Sequence, residues 1–284
     1  MKVLLSNLML LLILASCNDS NTATKPLLTT ENIQVAQKIT EASKPDNSSR
    51  SSQDDWYWKN TKMSSDGKFQ NWEEGAVDIV MTYRMKQNDA QPRTVKVGTI
   101  NAAGEISMTL PSEIKTETKL DNLGNLFFYD IQDISNLNYE NGNSGYFSNN
   151  SFLVEKNGKS VGNLTMGNSV LTTYNLVNQS TLTMGDEGYL LYMAYLDEAG
   201  SLKGTESRTD KVRRDGTNTI EAATTVVYDL DFQPGWNYVK VEVIGKYDLD
   251  HERGLNASWF KEHQHTVVSE MPEDAAYFFR KQNY

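Results

Sequence analysis

From Trp56 onward the chain alternates apolar and polar side chains with period two. Val77, Ile79, Met81, Tyr83 and Met85 alternate with Asp78, Val80, Thr82 and Arg84. Ile106, Met108 and Leu110 alternate with Glu105, Ser107 and Thr109, and Val239, Val241 and Val243 with Lys240, Glu242 and Ile244. Such a pattern predicts half-buried strands, because successive side chains of a strand point to opposite faces. Tyr189-Leu190-Leu191-Tyr192-Met193-Ala194-Tyr195-Leu196 is apolar throughout and predicts a central strand covered on both faces; a short buried helix fits the same pattern.

Turn signals separate these runs. Asn157-Gly158 lies between Phe152-Leu153-Val154 and Val161, and Asn-Gly accepts the positive φ of a tight hairpin turn. Ala103-Gly104 and Ala199-Gly200 are weaker versions. Pro234-Gly235 predicts a further hairpin, and a helix is expected over Glu273 to Lys281, after Pro272. Many short strands without intervening long helices predict an all-β fold. An antiparallel β-sandwich is the expected architecture, with a barrel as the variant.

The start of the chain is different. Met1 and Lys2 precede the apolar run Leu8-Met9-Leu10-Leu11-Leu12-Ile13-Leu14, which is shorter than the ~20 residues needed to span a bilayer. Leu14-Ala15-Ser16-Cys17 follows, and Cys17 is the single cysteine of 284 residues. This segment resembles the lipobox of bacterial lipoproteins. The resemblance implies cleavage before Cys17 and lipidation of Cys17, including palmitate-type acylation. One acyl chain holds a protein reversibly and two or three hold it stably. Asn18 after the cysteine favours the outer membrane and leaves the leaflet open. With Cys17 lipidated, no disulfide can form within the chain.

The organisation expected is a signal peptide over 1–16, a flexible tether over 17–53, a β-rich domain over 54–247 and a C-terminal segment over 248–284 packing on it. The tether is rich in Ser, Thr, Asn and Lys and buries too little apolar surface to offset ordering entropy. A weak helix over Thr30 to Ser43 is its one expected element. Within the β-rich part, the segments from Val97 to Pro111 and from Val227 to Val239, with Tyr192 to Leu196 between them, resemble uncharacterised secreted β-rich bacterial surface lipoproteins. That resemblance implies a fold type and an address, and carries no catalytic residue.

The formal net charge is −10. Such a chain gains no counterion-release affinity for a phosphate backbone, so a nucleic-acid partner is excluded and the acidity serves solubility. Lys211-Val212-Arg213-Arg214, followed by Asp215-Gly216, reads as a polar turn.

Candidate chemistry is sparse. On a strand, His263 and His265 project to one face, where both imidazoles could meet one zinc or copper ion, with His251 as a third ligand. The competing reading is a pair of exposed polar residues on an edge or loop. Asp248, Asp250 and Glu252, and separately Asn138, Glu140, Asn141 and Asn143, offer oxygens for calcium without an EF-hand spacing, and a solvated loop is the plainer reading. No cofactor is called for beyond these calcium or zinc alternatives. Trp56, Tyr57, Trp58 and Trp72 form an aromatic cluster suited to stacking on sugars or anchoring a protein, or else to core packing. Trp236, after Pro-Gly, is expected to plug one end of the core. There is no Gly-x-Ser-x-Gly elbow, and three histidines leave little for a Ser-His-Asp arrangement.

These residues favour a membrane-anchored, non-catalytic envelope protein that binds a glycan or another envelope protein. A glycan hydrolase with paired carboxylates is the first alternative, recognisable by a deep acidic pocket. A purely structural or assembly lipoprotein is the second, recognisable by burial of Trp56, Trp58 and Trp72.

Overall fold

The computed structural model describes residues 61–85, 92–122, 130–178, 187–215, 218–249 and 258–282, all of them within one unit, Arg50–Tyr284. Cys17, the segment around it, the helix expected over Thr30 to Ser43, Trp56, Tyr57, Trp58 and His251 lie outside the described residues.

The fold is all-β. Fourteen strands form one continuous sheet that does not close into a barrel, and α1 (Val170–Val177) is the single α-helix among the described residues. Strands β1 (Thr61–Ser64), β2 (Val77–Tyr83), β3 (Arg93–Ile100) and β4 (Ile106–Met108) come first. They are followed by β5 (Asn138–Glu140), β6 (Tyr146–Asn149), β7 (Phe152–Lys156) and β8 (Lys159–Gly167). After α1 come β9 (Gly188–Leu196), β10 (Gly200–Asp215), β11 (Asn218–Phe232), β12 (Gly235–Asp248), β13 (Ser258–Val268) and β14 (Ala276–Lys281). The spatial order is β4-β3-β2-β7-β8-β9-β12-β13-β11-β10-β5, with β14 joining β1 to β8 and β6 beside β9.

Strand β9 is the doubly covered strand its composition predicts. Leu190, Tyr192, Ala194 and Leu196 enter a first core with Val226, Tyr228 and Leu230 of β11 and Val239, Val241 and Val243 of β12. Tyr189, Leu191, Met193 and Tyr195 enter a second core with Val77, Ile79 and Met81 of β2, Val97 of β3, Phe152 of β7 and Phe279 of β14. The sheet therefore bends at β8 and β9, and its β2–β3–β7–β8 half packs over β9 and β12 in sandwich fashion. Gly167 sits at this bend. A Cβ there would lie 2.2 Å from the Tyr189 carbonyl oxygen.

The Asn157-Gly158 hairpin joins β7 to β8, with φ of 53° and 73° as the tight turn requires. Ala103-Gly104 likewise joins the paired strands β3 and β4.

Other expectations need correction. Pro234-Gly235 reverses the chain but makes no hairpin, because β13 inserts between β11 and β12, parallel to the first and antiparallel to the second. Turn chemistry sets a change of direction, not which strand becomes the neighbour. Nor does Ala199-Gly200 make a hairpin: β9 pairs with β12 on one side and with β8 and then β6 on the other. The helix expected over Glu273 to Lys281 is a turn followed by β14. Its Phe279 faces the second core, while Ala276 and Phe278 pack on Val170 of α1, the alternation of a strand. Pairing with both β1 and β8 overrides the local helix signal. Lys211 to Arg214 belong to β10, with Val212 buried against Ala222 and Leu249. In the C-terminal part of the chain, β13 and β14 each pair with two other strands.

Candidate functional site

His263 and His265 point to one face of β13, as period two requires, but that face is the interior. Both side chains have 0% exposure. His263 Nδ1 lies 3.2 Å and His265 Nε2 2.8 Å from the same oxygen, Oδ2 of Asp130, whose side chain is equally inaccessible. The Tyr228 hydroxyl donates to the other carboxylate oxygen at 2.8 Å. Rings clamp the imidazoles: Tyr228 stacks on His265 at 4.1 Å and Phe260 on His263 at 3.7 Å. Both imidazoles thus face a carboxylate directly at hydrogen-bond distance. Among the described residues, no group of three such side chains is placed to hold a metal ion.

The electrostatics of this cluster follow from its burial. Desolvation opposes the charge on Asp130, but the charge of His265 and the hydrogen bonds from His263 and His265 outweigh it and hold the carboxyl well below its ordinary range. Burial pushes His263 down, against the pull of Asp130. A neutral His263 suits the site, because its Nε2 has no hydrogen-bond partner among the described residues and an imidazolium would bury an unpaired N–H there. Burial first, then Asp130, raises the Tyr228 hydroxyl.

The backbone around Asp130 is pinned as well. Arg208 Nη1 donates to the Asp130 carbonyl at 2.7 Å and to Glu206 at 2.8 Å, and Arg208 Nε donates to Asp210 at 2.9 Å. Glu206 accepts from the backbone N–H groups of Gln132 and Asp133. The acid–base side chains at the centre of this network are sealed from solvent. It reads as an interior fastening rather than a reaction centre.

The accessible candidate is a cleft of about 360 Å³ where β2 ends beside β6. Tyr83, the last residue of β2, and Phe147 of β6 contribute rings, edge to face at 5.8 Å. Thr82, Thr118 and Ser148 contribute hydroxyls, and Arg84 the one charged side chain among the described lining residues. Two backbone links and one from a side-chain hydroxyl set the walls. Glu117 N–H donates to the Met85 carbonyl at 2.8 Å, Tyr146 N–H to the Thr118 carbonyl at 2.9 Å, and the Thr116 hydroxyl to the Tyr146 carbonyl at 3.1 Å. Phe147 is backed by Trp236, whose ring meets it edge to face at 6.2 Å.

Other residues singled out by sequence are spent on structure. Trp72 is half-buried in the second core, stacked on Phe69 at 5.4 Å and edge-on to Phe279 at 4.9 Å, and its indole N–H donates to the Gly75 carbonyl at 2.6 Å. It is 14 to 16 residues beyond the other three aromatics of its sequence cluster, which lie outside the described residues. Trp236 sits at the margin of the second core, donating to the Pro111 carbonyl at 2.7 Å. The Asn141 amide donates to Glu198 and to the Ala199 carbonyl, which ties its loop to the start of β10. Asp248 ends β12, and Asp250 and Glu252 lie outside the described residues.

Sequence reasoning found His263 and His265 but not Asp130, which lies 133 residues before His263. Tyr83 and Arg84 were legible only as consecutive residues of a strand. Nothing in the sequence placed Phe147 beside them.

Comparison with known protein families, with curated proteins and with solved structures finds no match to this chain.

Proposed function

We propose that this chain is a membrane-anchored envelope lipoprotein whose β-sandwich binds a partner without transforming it, and that the partner is a glycan. Cys17 is the lipidation site in this reading, and the outer membrane the favoured address. The observation that carries the binding half is the chemistry of the cleft. Its described lining combines the aromatic residues Tyr83, Tyr146 and Phe147, the hydroxyls of Thr82, Thr118 and Ser148, and one guanidinium, and includes no carboxylate. Rings stack on sugar faces and hydroxyls exchange hydrogen bonds with sugar hydroxyls, while glycoside hydrolysis ordinarily needs two carboxyl groups flanking the bond. The buried Asp130 cluster supplies no alternative, because a general acid or base must come within hydrogen-bond reach of the proton it moves. A volume of about 360 Å³ falls within the range of small-ligand sites.

The test is a fluorescence titration of the full chain in detergent micelles with a panel of neutral and acidic envelope oligosaccharides. Trp236 behind Phe147 is the reporter. A saturable change that disappears in Tyr83→Ala, with the oligosaccharide recovered at its original length, supports the reading. Shortened oligosaccharide would point to a hydrolase, and no saturation across the panel would sink the glycan reading.

A further inference from the structure

We infer that Asn157 is a site of spontaneous covalent modification: it loses its side-chain amide through a cyclic imide, while the fold protects the same dipeptide at Asn141. The sequence contains two Asn-Gly pairs, Asn141-Gly142 and Asn157-Gly158. In such a pair the main-chain nitrogen of the glycine can attack the side-chain carbonyl carbon of the asparagine, because glycine has no side chain to shield that nitrogen. A new C–N bond closes a five-membered imide. The bond to the amide nitrogen breaks, and ammonia leaves with the proton given up by the glycine nitrogen. Water then opens the imide. Attack at the side-chain carbonyl gives aspartate, and attack at the main-chain carbonyl gives isoaspartate. Nothing is oxidised or reduced, and water is the only co-reactant.

Exposure and local conformation do not separate the two pairs. Both asparagines are exposed, with φ of 52° at Asn141 and 53° at Asn157. Ring closure also needs rotation about the Cα–C bond of the asparagine and an amide free to meet the incoming nitrogen. At Asn141 both are held. Its amide donates to Glu198 at 3.1 Å and to the Ala199 carbonyl at 2.9 Å. Its carbonyl accepts from the Ser144 N–H at 2.9 Å, and the Gly142 carbonyl from the Asp121 N–H at 3.0 Å. Gly142 is also crowded, since an added Cβ would lie 2.9 Å from the Asp121 side chain. At Asn157 none of these restraints is present among the described residues. Neither its amide nor its carbonyl makes a hydrogen bond there, and an added Cβ on Gly158 meets nothing within 4 Å. The pair forms the tip of the β7–β8 hairpin between the exposed Lys156 and Lys159, whose charges favour the carboxylate that the reaction leaves. Isoaspartate would add one carbon to the main chain of a two-residue turn, whose length sets the register of β7 against β8.

The experiment ages the full chain in mildly alkaline buffer, folded in detergent micelles and, in parallel, unfolded in concentrated urea. Timed samples are cut with a protease that spares the hairpin lysines. Mass spectrometry then follows the conversion of each asparagine, with a fragmentation method that tells isoaspartate from aspartate. For each site the rate in the folded chain is divided by the rate in the unfolded chain, which removes the influence of flanking sequence. The quotient should be at least about tenfold higher for Asn157 than for Asn141, the scale of the one hydrogen bond to a charged group that Asn141 must break. The product at Asn157 should contain both isoaspartate and aspartate. Asn157→Gln, whose imide would need a six-membered ring, should keep its amide over the same period, and circular dichroism checks that this variant is folded. A quotient for Asn157 no higher than that for Asn141, or no conversion of Asn157 in the folded chain, overturns the proposal. Aspartate without isoaspartate, or conversion of Asn157→Gln at the rate of Asn157, overturns the imide route.

Discussion

Asp130 is the residue on which the first core is most exposed to change. Its carboxylate accepts from His263, His265 and Tyr228 in a site that water does not reach. Removing the charged member of a buried hydrogen-bonded cluster costs about 3–5 kcal/mol, because the groups that donate to it lose the charge they are arranged around. Urea unfolding of Asp130→Asn should show a loss of that order. Tyr228→Phe removes one donor and keeps the ring on His265, so a smaller loss of about 1–3 kcal/mol is expected. Acid should act on the same cluster. His263 is held below its ordinary value of 6.5 in the folded chain. The unfolded chain therefore takes up a proton that the folded chain refuses, and stability contributed by His263 is complete above about pH 6.5 and falls below it. Asp130, held lower still, adds a second loss as the pH drops through the carboxylate range, below about 3.9. Melting temperatures should decline from pH 7 to pH 5, with a slope of at most about 1.4 kcal/mol per pH unit from this histidine. The decline should be shallower in His263→Gln. An unchanged slope in that variant would show that other groups carry the acid sensitivity. The period-two spacing of His263 and His265 was legible in the sequence, and so was their shared face. That the face is interior was not, because the partner is contributed from a distant stretch that has no spacing relation to them.

At the scale of elements, the sheet depends on two contrasting glycines. Gly158 occupies the open side of the β7–β8 turn, where an added Cβ meets nothing within 4 Å. Its φ of 73° is the only obstacle, so Gly158→Ala should cost about 1–2 kcal/mol of backbone strain. Gly167 has the opposite problem. Its missing side chain lets β8 approach β9 at the bend, and a Cβ would press on the Tyr189 carbonyl and the Thr173 hydroxyl. Gly167→Ala should cost at least about 1–3 kcal/mol, the range for overpacking, and should alter near-ultraviolet circular dichroism from the tyrosines of β9. If the two variants melt alike, the bend is not held as tightly as this account requires. The Asn-Gly turn was readable because its chemistry is local. The insertion of β13 between β11 and β12 was not readable, since Pro234-Gly235 reports where the chain turns and not where it goes next. The aromatic run of β14 misled for a related reason. Phe278 and Phe279 serve opposite faces of a strand only because β1 and β8 are there to receive them.

For the whole molecule, the proposed function needs both a lipid anchor at Cys17 and a binding face on the β-rich part of the chain. The tether rests on Leu14-Ala15-Ser16-Cys17, a local motif that sequence alone carries. Cys17→Ser should move the protein from the membrane fraction to the soluble fraction, read by fractionation and immunoblot. Retention in the membrane would contradict lipid anchoring at Cys17. The all-β class was legible in the alternation of Val77 to Tyr83 and Val239 to Val243, because period two is a property of short stretches. The cleft was not, because Tyr83, Thr118 and Phe147 meet only through strand ends and a connecting segment. The most direct measurement of the central claim is hydrogen–deuterium exchange of the full chain with and without a saturating oligosaccharide from the titration panel. Slowed exchange confined to Thr82 to Met85, to the backbone around Thr118 and to Tyr146 to Ser148 is the expected footprint. Protection elsewhere, for example between α1 and Arg280 of β14, or none at all, would contradict the assignment of this cleft as the binding face.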